Sequence, residues 1–242
     1  MTAERPRPES DPEAGASTLA VIVAARNEAD RIAATVSALR SAFPGAAIWV
    51  ADDASDDGTA EQAMAAGAQV VSRGRPHGKG ANVTAAAEAA LSDAEPAELA
   101  LLCDGDLGGS AARLEPLVEA VAGGDCDLAV AAFGQRPGGG FGLALGFARW
   151  AIRRLCNFEA GAPISGQRAM RADVLRATLP FARGYGMELA MTVDAVRAGY
   201  RVGEYELDLS HRATGRTVAG FVHRGRQLVD FSRAYLSRRR PG

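Results

Sequence analysis

The sequence predicts a single α/β domain built on a mostly parallel sheet that helices flank. Apolar runs of strand length alternate with segments of helical apolar spacing, which is the pattern of repeated strand–helix units. Polar clusters follow the predicted strands, at the edge where open sheets of this kind bind ligands. A chain of 242 residues with 48% hydrophobic composition can bury one sizeable core. We predict that domain over residues 18–215, after a disordered segment 1–17 and before an amphipathic helix and basic tail at 216–242.

The predicted elements begin with a strand from Leu19 to Ala25, which is a continuous apolar run. A helix from Ala29 to Leu39 follows, because its apolar residues recur at helical spacing. Later in the chain, a glycine-rich stretch from Gly134 to Gly142 suits a closing lid. The remaining elements are, in order, strand 48–51, helix 59–66, strand 69–71, helix 80–91, strand 99–103, helix 111–121, strand 127–132, an amphipathic segment 143–155, strand 167–171, helix 187–198, strand 202–209 and a long terminal helix.

Composition excludes several classes of protein. The net charge of -2 and a pI of about 6.0 give no support for a nucleic-acid partner. Cys103, Cys126 and Cys156 are widely spaced and odd in number, which disfavours a disulfide framework or a zinc site and favours a cytoplasmic setting. Residues 1–17 contain no apolar core, and no run reaches the roughly 18 apolar residues that a membrane span needs. We therefore predict a cytoplasmic protein, with any membrane contact peripheral and at the inner face.

Two carboxylates separated by one residue follow the predicted strand 99–103. Asp104-Gly105-Asp106 offers hard oxygen ligands on one side of a loop, as Mg²⁺ or Mn²⁺ prefers. An ordinary solvated turn has the same residues, since Asp-Gly is a common turn dipeptide. The motif therefore becomes informative only together with its neighbours.

A second acidic pair, Asp52-Asp53, follows the strand 48–51. Asp57 or Thr59, a few residues later, suits the cap of the next helix. Capping does not explain the acidic pair, because adjacent carboxylates at a strand end are costly unless they are solvated or bonded to a ligand. We expect them to contact a ribose or a base edge.

The only lysine of the chain, Lys79, lies between Gly78 and Gly80 at the start of a predicted helix. Backbone amides, a helix N-terminus and an ammonium group would converge there on a phosphate. The spacing from Gly74 does not match a Walker A loop, and the first strand is not followed by Gly-x-Gly-x-x-Gly. A P-loop ATPase and a dinucleotide dehydrogenase are therefore disfavoured.

Further polar candidates lie in the second half of the chain. His211, with Arg212 and Arg216, offers an imidazole for a metal and two guanidiniums for phosphate, although a surface loop with incidental charges has the same composition. Glu188 opens a predicted helix, where an acidic residue either complements the helix dipole or holds an acceptor hydroxyl.

Four motifs in this order and spacing resemble family 2 glycosyltransferases. They are Val-Ala-Ala-Arg-Asn-Glu at 23–28, Ala-Asp-Asp-Ala-Ser-Asp-Asp-Gly-Thr at 51–59, Gly-Lys-Gly at 78–80 and Cys-Asp-Gly-Asp-Leu at 103–107. The resemblance extends over residues 18–223. It implies the GT-A fold, which is Rossmann-like, and transfer of a hexosyl group from a UDP- or GDP-sugar with Mg²⁺ or Mn²⁺ as cofactor.

The resemblance also implies roles for individual residues. Asp106 would bind the metal together with His211, and Glu188 would lie at the acceptor. The metal and Lys79, with Arg212 or Arg216, would stabilise the departing nucleoside diphosphate electrostatically. The implied donor contacts are Ala24, Arg26, Glu28, Asp52, Asp53, Lys79, Asp104 and Gly105.

The acceptor stays open at this point. Gly-Tyr-Gly-Met-Glu at 184–188 resembles glucosyl-3-phosphoglycerate synthases, whereas Ser-Gly-Gln-Arg-Ala-Met-Arg at 165–171 resembles polyprenyl-phosphate sugar transferases. The acceptor is thus either a phosphoglycerate-like small molecule or a lipid phosphate. Two other functions are alternatives: a nucleotidyltransferase, which typically has a glycine-rich loop where this chain has Ala25-Arg26-Asn27-Glu28, and a non-catalytic nucleotide-sugar-binding protein.

The predicted terminal helix is both apolar and basic. Apolar residues recur at helical spacing along it, and arginines make the rest of its surface basic. Packing of the apolar stripe against the core is the favoured interpretation. Peripheral contact with an anionic membrane, and a homodimer, are the further predictions for partners. The stripe consists of Val218, Phe221, Val222, Leu228, Val229, Tyr235 and Leu236.

Overall fold

The computed structural model describes residues 18–94, 96–132, 142–209 and 218–239, except for the side chains of 142–143 and 218–227. The strands are β1 (Leu19–Ala25), β2 (Ala47–Asp52), β3 (Gln69–Ser72), β4 (Leu99–Asp104), β5 (Leu128–Ala132), β6 (Arg168–Arg171) and β7 (Val202–Glu206). The helices are α1 (Ile32–Ala42), α2 (Thr59–Ala65), α3 (Lys79–Leu91), α4 (Glu115–Ala122), α5 (Gly142–Cys156), α6 (Ala172–Thr178), α7 (Met187–Arg197) and α8 (Val218–Arg239).

The strands of the described residues form one seven-stranded sheet in the order β3-β2-β1-β4-β6-β5-β7. Its pairings are parallel except for those of β6, which runs antiparallel to both β4 and β5. Val21, Ile22 and Val23 are fully buried in succession, because helices cover both faces of the sheet. The prediction of a mostly parallel α/β fold is confirmed.

Apolar side chains from alternate strand positions build a core on each face of the sheet. On one face, Val21 and Val23 pack with the apolar side of α1, including Ile32 and Val36. On the other face, residues of α3, α6 and α7 cover the sheet. A third cluster joins α5, α7 and α8 away from the sheet, so these three helices form an additional layer beside its second half.

Several element boundaries differ from the prediction. The helix expected at 111–121 is a 3-10 segment, Gly108–Leu114, followed by α4, whose second residue Pro116 favours a new helix start. The strand expected to reach Leu209 ends at Glu206. Helix α6 was not predicted, because seven residues are too few to show a clear helical period.

The predicted apolar stripe of α8 was wrong for three of its four residues with described side chains; the fourth, Tyr235, is half-buried and packs against the third cluster. Leu228, Val229 and Leu236 are exposed, whereas Phe231 and Ala234 are buried against α5 and α7. The helix does pack on the core, as expected, but with a different face. Close contact with a glycine turn, described below, fixes that rotation. The stripe residues Val218, Phe221 and Val222 lie outside the described side chains.

Some predicted features lie outside the described residues. These are His211, Arg212, Arg216 and the glycine-rich stretch before Gly142. Within the described ranges, no helix combines the length and the apolarity that a membrane span requires.

Candidate active site

The polar clusters predicted from sequence meet at the carboxyl ends of β1, β2 and β4. The register pairs Ala25 with Asp52, and Ala24 with Asp104, so the three strands end together. Backbone hydrogen bonds continue beyond the strands, from Asp53 N to Ala25 O (3.0 Å) and from Gly105 N to Ala24 O (2.8 Å). The loops that follow these strands therefore share one edge of the sheet, where a ligand site was expected.

Asp52 is buried and accepts hydrogen bonds from neighbouring loops. Its carboxylate accepts from Ser55 N (3.2 Å), from Ser55 Oγ (2.5 Å) and from Ser72 Oγ (3.1 Å). Only 2% of Asp52 is exposed. Its burial is thus balanced by protein donors on β3 and on the turn after β2.

Asp53 organises the start of α3. Its carboxylate accepts hydrogen bonds from His77 N (2.7 Å), Gly78 N (3.1 Å) and the Asn82 side-chain amide. An ion pair with Arg26 adds an exposed partner at 3.7 Å. Protein donors thus offset the burial of both carboxylates, beside the two ways expected from the sequence, which were solvation and a bound ligand. The predicted nucleoside contacts of the pair stay a prediction.

Hydrogen bonds join the loop after β1 to the loop after β2. Asn27 has a left-handed backbone (φ 55°), and its N–H donates to Ser55 Oγ at 2.9 Å. The N–H of Glu28 donates to Thr59 Oγ1 at 2.8 Å. These hydrogen bonds join residues 28 and 31 positions apart in the sequence, so the loops after β1 and β2 form one continuous surface.

The start of α2 differs slightly from the predicted cap. The residue at the cap position is Gly58, in a left-handed conformation, so Asp57 acts from one position earlier and accepts from Thr59 N at 3.1 Å. Asp57 also accepts from Ala29 N at 3.1 Å. The hydrogen bond from the Thr59 hydroxyl is the main reason why the pKa of Asp57 lies below its usual value.

A buried threonine holds the Asp104-Gly105-Asp106 loop. Thr35 Oγ1 donates to Gly105 O at 2.8 Å and accepts from Gly108 N at 2.8 Å. Arg31 donates to the backbone carbonyl of Asp106 at 3.0 Å. Neither Arg31, at the cap of α1, nor Thr35 within α1 was predicted from the sequence. The available signal was a threonine on the apolar face of a helix.

Lys79 joins two carboxylates from distant parts of the chain. Its ammonium group donates to Asp104 Oδ1 at 2.7 Å and to Glu188 Oε1 at 2.8 Å. Burial lowers the pKa of Lys79, but the two carboxylates outweigh burial, so its pKa lies above the usual value. Of the predicted catalytic residues, Lys79 and Glu188 are therefore in direct contact. Glu188 does more than complement the dipole of α7.

Gly166 and Gln167, just before β6, complete this cluster. Gln167 Nε2 donates to Asp104 Oδ2 at 2.7 Å. A Cβ at Gly166 would lie 2.7 Å from Lys79 Nζ and 2.8 Å from Asp104 Oδ2, so a larger residue there would displace one or both groups. We define the salt-bridge cluster as Lys79, Asp104, Gln167 and Glu188.

Arg168 is fully buried behind the salt-bridge cluster, and sequence analysis did not predict a role for it. Its Nε donates to Ser165 O at 2.8 Å and its Nη1 to Thr192 Oγ1 at 2.9 Å. Its Nη2 has no hydrogen-bond partner among the described residues. Burial lowers the pKa of Arg168 to about 10, with the charges of Glu188 and Glu204 opposing that shift. Arg168 thus links the loop before β6 to α7.

The carboxylates at this edge are of the ligand type that a hard divalent cation prefers. Asp104, Asp106 and Glu188 bring three carboxylates, against one ammonium from Lys79. Within the described ranges, no group of three or more His, Cys, Asp and Glu side chains converges as a ready metal site. Asp106 is half-buried beside the cluster, and His211 lies outside the described residues.

The match to a protein family covers most of this architecture. A family model described as glycosyl transferase family 2 matches residues 20–178. The chain belongs to glycosyl transferase family 2. The predicted glycosyltransferase class and GT-A fold are thereby confirmed. The matched part of this family 2 chain includes the strand-end carboxylates, Lys79 and Arg168, and ends before Glu188.

Solved structures are similar over nearly the whole chain. Glucosyl-3-phosphoglycerate synthase from Mycobacterium tuberculosis, in complex with Mn²⁺, uridine diphosphate and phosphoglyceric acid, is 26% identical with a TM-score of 0.74 over 92% of this chain and 78% of that chain. The same enzyme in complex with Mn²⁺, uridine-diphosphate-glucose and phosphoglyceric acid is 25% identical, with a TM-score of 0.72 over 92% of this chain and 79% of that chain. A further structure, of a mycobacterial protein, is 28% identical, with a TM-score of 0.75 over 92% of this chain and 74% of that chain. No curated protein matches the chain.

Proposed function

We propose that this chain transfers a hexose from a UDP-sugar to a small phosphate-bearing acceptor, with Mg²⁺ or Mn²⁺ as cofactor. The observation that carries the proposal is the salt-bridge cluster, in which Lys79 joins Asp104 to Glu188 at the ligand-binding edge of a family 2 domain. Similarity to a synthase bound to Mn²⁺, uridine diphosphate and phosphoglyceric acid supports it. A GDP-sugar is the alternative donor.

Residues at the strand ends would bind the donor. Lys79 and Gln167 fix both oxygens of Asp104, which suits a rigid hydrogen bond to the ribose. Asp106 would hold the cation with His211, and the bound cation would neutralise charge on the departing diphosphate. Arg212 is proposed to add positive charge there. The nucleoside pocket would be formed by Ala24, Arg26, Glu28, Asp52 and Asp53.

The acceptor is proposed to lie against Glu188. This carboxylate is 7% exposed on its side chain and is held by Lys79, so it has a fixed position at the start of α7. A fixed carboxylate can orient an acceptor hydroxyl toward the sugar. Arg168 behind it holds α7 through Thr192, whose hydroxyl also donates to Glu188 O at 3.1 Å.

The metal assignment is tested by Asp106→Asn. We expect metal-dependent release of UDP from UDP-glucose, with 3-phosphoglycerate as acceptor, to fall about 100-fold or more, because one charged ligand is lost. Calorimetry should show weaker binding of UDP in Mn²⁺. Asp93→Asn, an exposed aspartate beyond α3, is the matched control and should keep wild-type turnover. Near-normal turnover of Asp106→Asn would refute the role of Asp106.

A lipid phosphate is the second candidate acceptor, and it corresponds to the predicted peripheral contact at the inner membrane face. Exposed aromatic and basic side chains on α5 and α8 favour it. Offering 3-phosphoglycerate and a polyprenyl phosphate side by side separates the two acceptors. UDP binding without transfer to either would favour the non-catalytic alternative, whereas pyrophosphate release from a nucleoside triphosphate would favour a nucleotidyltransferase. A homodimer stays a prediction that light scattering tests.

A further inference from the structure

An aromatic surface joins α5 to α8 on the outside of the third cluster. The rings of Trp150 and Tyr235 lie 5.1 Å apart, and Phe147 lies 5.5 Å from Trp150 and 6.3 Å from Tyr235. Trp150 remains 50% exposed and the adjacent Leu236 59% exposed. We define these four residues as the aromatic patch.

Exposed apolar side chains are concentrated around this patch. Among the described residues, the exposed large hydrophobic side chains are Trp150, Leu228, Val229, Leu236 and Met64. All except Met64 belong to α5 or α8. Scattered apolar residues are ordinary on a protein surface, whereas such a concentration marks an interaction site.

The same two helices are strongly basic. Helix α5 contains Arg149, Arg153 and Arg154 and no acidic residue, and all three arginines are exposed. Exposed Arg233 and Arg239 of α8 add to them. Because the whole chain has a net charge of -2, this surface is opposite in sign to the rest of the protein.

Nearby carboxylates offset only part of this charge. Exposed Glu159 lies 3.4 Å from Arg153, and half-buried Asp230 lies 3.5 Å from Arg233, so these two carboxylates offset two of the five positive charges. Arg149 donates to a backbone carbonyl and keeps its charge. The surface around the aromatic patch is therefore positive at any pH that a protein tolerates, since arginine does not lose its proton.

We propose that the aromatic patch and its arginines bind an anionic lipid bilayer. Tryptophan and tyrosine favour the level of lipid headgroups, and arginines beside them attract anionic lipids. A second copy of the chain is a poorer partner, because a two-fold contact places the same arginines against each other. Charge complementarity therefore selects the bilayer.

The patch is rigidly connected to the proposed acceptor side. Asp230 of α8 accepts a hydrogen bond from Tyr185 N at 3.2 Å, and a Cβ on Gly184 would collide with the Asp230 carboxylate. A Cβ on Gly186 would lie 2.9 Å from Asp230 O. This turn leads directly into α7 and Glu188.

Vesicle flotation of the full chain tests bilayer binding without any substrate. A negative result would therefore contradict bilayer binding without bearing on the proposed transferase function. We expect flotation with vesicles of equal parts phosphatidylcholine and phosphatidylglycerol, and none with phosphatidylcholine alone. Raising the salt concentration should release the protein. Arg154→Gln should lower the partition coefficient about fivefold, and Leu236→Ser combined with Trp150→Ala roughly tenfold or more.

Two control variants match these changes outside the patch. Met64→Ala removes an equally exposed apolar side chain on α2, and Arg176→Gln removes an exposed arginine on α6. Both should float like the wild type, and circular dichroism should show that all variants remain folded. Absence of flotation in the wild type would overturn the proposal. A dimer that Leu236→Ser and Trp150→Ala convert to a monomer, without vesicle binding, would assign the patch to a second copy instead.

Discussion

Two groups of carboxylates at the same edge of the sheet are stabilised in different ways. Asp52 and Asp53 are almost completely buried, and their partners are hydroxyl, amide and backbone N–H groups from adjoining loops. Asp104 and Glu188 instead share one ammonium group, and the Asp104 side chain stays 35% exposed. The Glu188 side chain is only 7% exposed. The first group has the character of a scaffold, whereas Asp104 in the second keeps charge within reach of a ligand.

The difference shows how the site divides structural and chemical roles. The partners of Asp52 and Asp53 fix the loops around the proposed nucleoside pocket. The salt-bridge cluster connects residues up to 109 positions apart, so it ties the donor half of the domain to α7. Changes in the first group should therefore alter stability, and changes in the second should alter turnover.

The largest expected effect follows from Asp53→Ala. The change leaves the buried Asn82 amide and the part-buried N–H groups of His77 and Gly78 without an acceptor, and we expect a loss of about 3 kcal/mol in the free energy of unfolding. Urea denaturation measures it. Asp56→Ala, an exposed neighbour, should change stability by less than about 0.5 kcal/mol. Equal losses in the two variants would contradict a scaffold role for Asp53.

Lys79→Met should act mainly on turnover. Without the ammonium group, Asp104 and Glu188 repel each other, and we expect UDP-glucose turnover to fall about 100-fold. Lys79→Arg keeps the charge with a different geometry and should recover part of the activity. If Lys79→Met unfolds the protein at the same urea concentration as Asp53→Ala, the proposed division of roles is wrong.

Gly166→Ala should have a smaller effect of the same kind. The added methyl group presses on Lys79 Nζ and Asp104 Oδ2, and we expect roughly tenfold lower turnover from the displaced pair. Gly109→Ala is the matched control, since a Cβ there meets nothing within 4 Å. An unchanged melting temperature in Gly166→Ala would show that the salt-bridge cluster affects turnover rather than stability. Wild-type turnover in Gly166→Ala would show that the pair tolerates displacement.

The smallest effect concerns pH and the scaffold. Thr59→Val removes the hydrogen bond that chiefly lowers the pKa of Asp57, so this pKa should rise toward its usual 3.8. Because its pKa is lowered in the folded state, the Asp57 carboxylate stabilises the fold above pH 3.8. This contribution is lost as the pH falls through the lowered pKa. The stability difference between wild type and Thr59→Val should thus narrow below pH 3.8. Ser41→Ala on α1 should show no such dependence on pH. NMR titration measures the pKa of Asp57, and urea denaturation measures the free energy of unfolding at each pH.

The first half of the fold was predictable because its signals are local. Strand β1 is a continuous apolar run, and parallel neighbours bring the residues after β1, β2 and β4 to one edge without further information. The strand-end motifs were found for this reason. Strand β6 has only four residues and runs antiparallel, and no local pattern shows which way so short a strand will pair.

Contacts between distant segments limited the prediction of the site. Lys79, Asp104 and Glu188 were predicted from separate motifs, and no local pattern shows that one ammonium group joins the two carboxylates. Gly166 matters only because Lys79 and Asp104 approach it, and the role of Arg168 depends on Thr192 across the interior. The rotation of α8 likewise depends on Gly184 and Gly186 rather than on its own apolar pattern.

Because Lys79 is the only lysine of the chain, amine chemistry reports on a single side chain and the α-amino group. Acylating reagents attack the neutral amine, and the carboxylates that raise the pKa of Lys79 keep it protonated and unreactive. An acyl label that appears on Lys79 in folded protein would therefore signal separation of Asp104 and Glu188 from it. One residue thus provides a built-in mass-spectrometric probe of whether the two halves of the site are joined.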